Sequence, residues 1–595
     1  MDLIGLGAGR VNRGGLPGGH ESGPHVAPPF ATLVDALRWR AEHQAGRLAY
    51  RFLPDGESWE ITMTYGELDR RACAIATMLR SRQAAGDRTL LVYPQGLEFI
   101  SAFFGCLYAG TVAVILAPPH QARLPQFFAK AGGIYQHATP SAALTTSAIH
   151  DLLAGPLLQQ DDLGAIPWLA TDGDREDPAL EWRAPGLTDG TLAFLQYTSG
   201  STTEPRGVMV SHGNLVHNVR TIQESLAQSP DSESVNWLPP QHDMGLIGGI
   251  LVPLYAGMPA TLLSAVSFVQ RPARWLQAIS RYQATASCGP NFAYDLCARR
   301  VTAEQRSGID LSSWEVAFCG AEPINVQTLR DFAECFAPSG FCPRAFKLCY
   351  GLAESTLMVS AGPSRTLPFT RRFRRFELAR HQVVPCTGDD PAGCQLPSCG
   401  RPAADIVIAD PDSFTECLPG EVGEIWVSGP SVAMGYWNRP VETRATFRAQ
   451  LRGTGKEFLR TGDLGFLLDG ELFVTGRLKD LIIIDGTNHY PQDVERTVGQ
   501  CHPALAPADC AAFSVEVRGR EALVVVAAPI RRSNLPVDEI HRAIRMAVAE
   551  HHDLRLHEIV LVKPGRIPKT TSGKIRRSTC RSGYAAGTLD LWGQQ

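Results

Sequence analysis

The chain has 595 residues, 44% of them hydrophobic and 19% charged, with 60 acidic side chains against 56 basic ones. A single core rarely grows beyond about 250–300 residues, so more than one domain is expected, and the near-neutral balance excludes any global attraction to nucleic acid or an anionic membrane. The 15 cysteines, an odd number with no Cys-x-x-Cys pair, exclude a disulfide framework and a zinc site and fit reduced thiols in a cytoplasmic protein.

Residues 1–29 are rich in Gly, Pro and His without periodicity, which predicts a mobile tail. The start, MDLIGLGAGRVNRGG, has no basic stretch ahead of an apolar core, so no signal peptide is expected. Apolar residues at helical spacing after Thr32 predict a first helix with Thr32 as its N-cap. Thr64-Tyr-Gly-Glu67 has the capping-box form before a helical run through Leu79. Strands over 89–93 and 111–116 alternate with helices, predicting α/β layers with substantially parallel sheets. Two uncharged runs, 99–120 and 245–270, are broken by Gly105, Gly110, Pro118, Pro253, Gly257 and Pro259 into pieces of strand or helix length, so they read as buried core and not as membrane spans.

An apolar run from Leu192 leads into Thr198, Ser199, Gly200, Ser201, Thr202 and Thr203, with Arg206 close behind. Hydroxyls and glycine-freed backbone N–H groups are what a phosphate cradle needs, and the spacing is not that of a Walker loop. By itself the segment is also compatible with a surface turn. Ser211 then starts a helix, and 235–243 ends a strand in a polar cluster, His242 and Asp243, followed by the apolar stretch from Met244, Gly245 and Gly249 to Phe268. A carboxylate head above a greasy tail suits that junction; plain core suits the stretch equally well.

A strand over 315–319 precedes Gly320, Ala321, Glu322 and Pro323, a placement that suits nucleotide binding at the carboxyl ends of parallel strands. Tyr350, Gly351, Leu352, Ala353 and Glu354 follow. The next unusual stretch, from Leu367, interleaves Phe369, Phe373 and Phe376 with Arg371, Arg372, Arg374 and Arg375, which read alone is a solvated basic face or a nucleic-acid stripe. Asp463 follows Thr461 and Gly462 in an expected turn, a strand over 471–475 leads to Gly476 and Arg477, and the polar surroundings of Lys479 suit a domain linker. The remainder predicts a small α+β domain. It has a helix after Pro536 with Ile540, Ile544 and Val548 on one face, a strand over 560–562, and a Gly/Ser loop, 568–574, ending at Lys574. His551, His552 and His557 fit no zinc spacing.

The ordered series 197–207, 350–354, 461–463, 476–480 and 568–574 resembles the adenylate-forming superfamily. The wording HDMGLIGG at 242–249 and GTNHYPQDVE at 486–495 resembles its fatty acyl-AMP ligase branch. The resemblance runs from about Phe30 to about Arg577. It implies an α/β fold with a large multi-sheet N-terminal adenylation domain over 30–478 and a smaller mobile α+β domain over 479–595, Lys479 being the hinge. It implies that Thr198–Thr202 hold the triphosphate, that Gly320–Glu322 and Tyr350 flank the adenine, and that Asp463 and Arg477 hold the ribose. Glu354 is then the Mg²⁺ ligand, one carboxylate with ATP phosphates being the usual way to hold that ion, and Lys574 bridges the acyl carboxylate and the α-phosphate. His242 orients the carboxylate, and Asp243, Met244, Gly245 and Gly249 lie along the acyl path. Ala353 departs from the threonine common elsewhere in the superfamily, which leaves an α-phosphate hydroxyl contact without a donor there.

Similarity to this branch further implies that the Phe/Arg stretch, about 364–385, is an insertion restraining the small domain against coenzyme A chemistry. ATP and Mg²⁺ are the implied cofactors, a fatty acid the substrate, and a separate acyl carrier protein or a polyketide or nonribosomal peptide synthase the acceptor, since no Asp-Ser-Leu carrier site is present. An acyl-CoA synthetase of the same fold is the nearest rival, and a non-catalytic acyl or nucleotide-binding module the other.

Overall fold

The computed structural model describes residues 29–173, 182–197, 205–363, 366–388, 390, 393–484, 487–506, 509–517, 520–530, 537–569 and 574–592. The predicted tail, apart from Pro29, lies outside them, as do Thr198, Ser199, Gly200, Ser201 and Thr202 of the expected phosphate loop.

Two large sheets form the body. In the nine-stranded one, six adjacent strands are parallel, from Leu48–Leu53 through Ala260–Leu263, Ser234–Asn236, Ala286–Gly289 and Val316–Cys319 to Phe346–Gly351, with antiparallel edges beyond. The six-stranded sheet is parallel except for Gly207–Ser211, which pairs antiparallel with Leu192–Tyr197 so that Tyr197 faces Gly207. Helices cover both, as parallel sheets require. Thr64 and Glu67 form the expected capping box at the start of the helix Tyr65–Arg80, and Thr32 caps Leu33–His43 with Asp35. The run 99–120 folds as the helix Leu97–Ala109 and the strand Val112–Leu116. Among the described residues no helix is long and apolar enough to cross a membrane.

A third, antiparallel sheet carries Asp405–Ala409, Gly423–Ser428, Glu457–Leu468 and Glu471–Arg477. Asp463 therefore lies inside a strand, not in the expected turn. Gly462, at φ 70°, supplies the local irregularity that made the segment read as one. After the short turn Leu478–Asp480 the chain enters the hairpin Ile482–Ile484 and Thr487–His489 and a three-stranded sheet, Cys510–Val517, Arg520–Ala527 and Leu556–Leu561. The helix Val537–His552 buries Ile540, Ile544 and Val548 against that sheet, on the face their spacing predicts.

Candidate active site

The parallel strands set the floor. Val316–Cys319 runs into Gly320 and Ala321, and Phe346–Gly351 into Leu352, Ala353 and Glu354; all line one cavity of about 310 Å³. Gly351 has no substitute there, because a Cβ would lie 1.9 Å from the Leu357 carbonyl oxygen. That close approach turns the chain into the single helical turn Ala353–Ser355 and aims Glu354 at the cavity. Tyr436 donates its hydroxyl to Glu354 Oε1 at 2.8 Å, and no described residue engages Oε2. Burial and the Glu354 carboxylate push the Tyr436 phenol up, so it stays a donor. Glu322 sits apart from the cavity wall: its Oε1 accepts from Phe292 N at 2.6 Å, holding the start of the helix Asn291–Arg300.

Asp463 is 5% exposed and doubly held. Tyr350 donates its hydroxyl to Oδ2 at 2.8 Å and Arg477 Nε donates to Oδ1 at 2.8 Å. Their strands place them opposite one another, Asp463 paired with Arg477, so the register of the antiparallel sheet builds this contact. Asp463 keeps the Arg477 guanidinium firmly charged. Tyr350, Arg477 and Lys479 reach the same cavity.

Lys574 comes to that cavity from the small domain. Burial lowers its ammonium below the ordinary lysine value; Asp243, Glu322 and Asp463 oppose the shift and Arg477 adds to it. Three carboxylates of the larger body thus favour its charged form, and of these Asp243 lines the same cavity. Sequence reasoning missed how the lysine is held: Arg577 forks onto Glu495 at 2.6 and 2.7 Å and onto Asp480 at 3.3 Å. The bidentate pair fixes the end of the segment carrying Lys574 to the helix Pro491–Gln500, and the Asp480 contact ties it to the turn that holds Lys479. The pairing with a glutamate 82 residues upstream leaves no local trace in the sequence.

His242, Asp243 and Met244 line the cavity at the start of a π-helical turn, Met244–Leu251. Burial lowers the His242 pKa, Lys574 and Lys130 adding to it against Asp243, so the imidazole is neutral at pH 7. Two expectations for the acyl path need correction. Gly249 faces the sheet, since a Cβ there would fall 1.6 Å from Asn236 Nδ2, and Gly245 packs on backbone, with a Cβ 2.1 Å from the Pro239 carbonyl oxygen. Gly248 has room instead, and it lines a narrow, mostly apolar cavity of about 30 Å³ that shares Met244, Phe318 and Leu357 with the larger one. The wider turn of a π-helix shifts which glycine meets the cavity.

Two family matches divide the chain: AMP-binding enzyme over residues 37–437, and Disco-interacting protein 2-like, AMP domain, over 479–594. The medium-chain-fatty-acid–[acyl-carrier-protein] ligase JamA of Moorena producens is 45% identical, covering 95% of this chain and 97% of its own. The long-chain-fatty-acid–AMP ligase FadD26 of Mycobacterium bovis is 39% identical over 93% of this chain and 97% of its own. This chain belongs to the fatty acyl-AMP ligases of the adenylate-forming superfamily. A crystal structure of the L. pneumophila fatty acyl-adenylate ligase in complex with acyl adenylate and pyrophosphate, 41% identical, superposes with a TM-score of 0.74 over 94% of this chain and 97% of that one.

The Phe/Arg stretch of this ligase is anchored through Phe373, while Leu367, Phe369, Arg374 and Phe376 stay exposed. Thr370–Arg374 pairs antiparallel with Gly393–Pro397, so the unit extends past residue 385. Phe373 is fully buried against Phe466 and Phe473, ring centroids 5.1 and 5.5 Å away. Its polar edge meets the small domain three times. His381 Nε2 lies 2.6 Å from Asn488 Nδ2, Asn488 N donates to Ala379 O at 3.4 Å, and Arg375 Nη1 donates to His551 O at 3.2 Å.

Proposed function

We propose that residues 30–478 bind ATP and a fatty acid, and that the domain over 479–595 brings Lys574 to them to form the acyl-adenylate with release of pyrophosphate. The observation that carries this reading is the meeting of Lys574 with Arg477, Tyr350, Gly351, Glu354 and His242 around one cavity, with Asp463 behind Tyr350 and Arg477 as their shared acceptor. A carboxylate attacking an α-phosphorus meets charge repulsion, and placed cations lower that barrier as negative charge develops. Lys574, a compact charge on a long stem, neutralises the incoming carboxylate and the α-phosphate together. Asp463 accepts from the ribose hydroxyls, and Arg477, bonded to its Oδ1, steadies it. Tyr350, Gly320 and Ala321 bound the adenine, with Thr198, Ser199, Gly200, Ser201 and Thr202 on the triphosphate.

Neutral His242 donates one hydrogen bond to the substrate carboxylate, and Met244 with Gly248 starts the acyl path. Glu354 would suit a Mg²⁺ ion: it lines the cavity, Tyr436 occupies Oε1, and no described residue engages Oε2. When bound, such an ion shields the negative charge of the triphosphate.

The acyl group then passes to the thiol of a separate acyl carrier protein, or of a polyketide or nonribosomal peptide synthase, as the small domain turns about Lys479. The contacts of Asn488 and His551 with the insertion favour this acceptor over free coenzyme A, because they tie the small domain to the body. Fifteen unpaired cysteines support a cytoplasmic setting. The test is to incubate the protein with ATP, Mg²⁺ and a fatty acid, adding coenzyme A or a phosphopantetheinylated carrier in turn, and to weigh the products. Acyl-adenylate and acyl-carrier without acyl-CoA support the reading; abundant acyl-CoA makes the chain an acyl-CoA synthetase.

A further inference from the structure

The narrow cavity beyond Met244 ends in a polar group with nothing to bond. Its walls follow three parallel strands in register: Ser234, Ala286 and Val316 lie at one level, and Cys288 and Phe318 two residues further on. Since Phe318 also lines the nucleotide cavity, the Ser234 level is the distal one, about 7 Å deeper at the rise of a strand. Gln228, which precedes Ser234 by one short loop, lines the same cavity with Leu226 and Ile222. Its Oε1 is buried and has no hydrogen-bond partner among the described residues.

Two of the neighbouring polar side chains are already engaged. Ser287 donates to Val235 O at 2.5 Å and accepts from Trp275 Nε1 at 2.7 Å, and Cys288 Sγ lies 3.5 Å from Asn236 Oδ1. The Gln228 backbone is pinned by its N–H to Gln223 O at 3.0 Å and by Gln223 Nε2 to its own carbonyl at 3.3 Å. A buried acceptor without a donor costs free energy, so an amide at the end of an apolar path is useful if the occupant brings the donor.

We propose that Gln228 selects fatty acids carrying a hydroxyl at or near the end of the chain remote from the carboxyl group. A hydroxyl both donates and accepts, so it satisfies the amide whichever of its two atoms faces the cavity, whereas a charged amine would have to be desolvated. The proposal rests on the assignment of this cavity to the acyl chain given above.

The experiment measures ATP–pyrophosphate exchange over a ladder of saturated fatty acids and their ω-hydroxy counterparts. At the matched length the ω-hydroxy acid is expected to exceed the plain acid about tenfold in kcat/KM, the scale of one hydrogen bond to a buried acceptor. Gln228→Leu should abolish that preference while plain acids still exchange. Gln228→Asn, whose amide ends one methylene short, should move the preferred ω-hydroxy acid to a longer chain. A plain-acid preference at every length in the native protein, or a hydroxyl preference that survives Gln228→Leu, overturns the proposal. Exchange with no fatty acid of either kind contradicts the acyl reading itself.

Discussion

Asn488 of the small domain lies with its Nδ2 2.6 Å from Nε2 of His381, a residue of the insertion. His381 Nδ1 is 3.0 Å from the Val422 carbonyl oxygen, which fixes the proton on Nδ1 and makes Nε2 the acceptor for the Asn488 amide. This side-chain contact is backed by the backbone bond from Asn488 to Ala379 and by Arg375 donating to His551 O. Asn488→Ala should keep fatty-acid adenylation and raise acyl-CoA formation about fivefold, matching the loss of about 1 kcal/mol from the restrained position. Product masses with coenzyme A present check it. Unchanged acyl-CoA means the contact restrains nothing. Excising 364–385 is the poorer test, because it strips the partner of Gly393–Pro397 and bares Phe466 and Phe473.

Tyr350→Phe keeps the ring on the cavity and removes the donor to Asp463 Oδ2. The expected cost is about 1 kcal/mol in stability, with weaker ATP binding. Asp463→Ala leaves Arg477 and Tyr350 both without their acceptor and should cost more, on the order of 2–4 kcal/mol. Denaturant melts with and without ATP measure both. A Tyr350→Phe protein as stable as the native one would show that the hydroxyl contact contributes nothing.

The depressed Lys574 pKa gives a signed pH effect. The working form is the ammonium, present below its pKa and lost as pH rises through it, so a lowered pKa brings the alkaline loss of adenylation to a lower pH than an ordinary lysine would. Lys574→Arg, charged throughout, should reduce the rate yet flatten that limb. The pH profile of pyrophosphate exchange reads it directly; an identical alkaline limb in both proteins would assign the titration to another group.

Two adjacent glycines separate cavity from packing. Gly248→Val places methyl groups in the acyl path, where Leu357 Cδ2 is 3.9 Å from a built Cβ, and should move the preferred acid to shorter chains by about tenfold in kcat/KM. Gly249→Ala drives a methyl onto Asn236 and should lower stability by about 1–3 kcal/mol without a change of chain-length preference. Chain-length profiles and melts of both variants decide it. A chain-length shift from Gly249→Ala would restore that residue to the acyl path.

Much of this was legible in the sequence because local patterns carried it. Thr64 with Glu67 predicted its helix, Ile540 with Ile544 and Val548 their buried face, and the glycines of 99–120 the break between helix and strand. What escaped depended on long-range pairing. Asp463 read as a turn because Gly462 precedes it, while its strand is set by a register with Arg477 and Trp426's strand. The fork of Arg577 onto Glu495, the burial of Phe373 against two stacked aromatic rings, and the π-helical offset that exchanges Gly248 for Gly249 likewise depend on parts of the chain that meet only after folding.

The central claim is that one ammonium from the small domain drives adenylation. ATP–pyrophosphate exchange with a fatty acid substrate tests it in Lys574→Ala against the native protein, with ATP binding measured alongside. The account expects exchange to fall by about 10²–10³ while ATP still binds. Exchange near the native rate would contradict it.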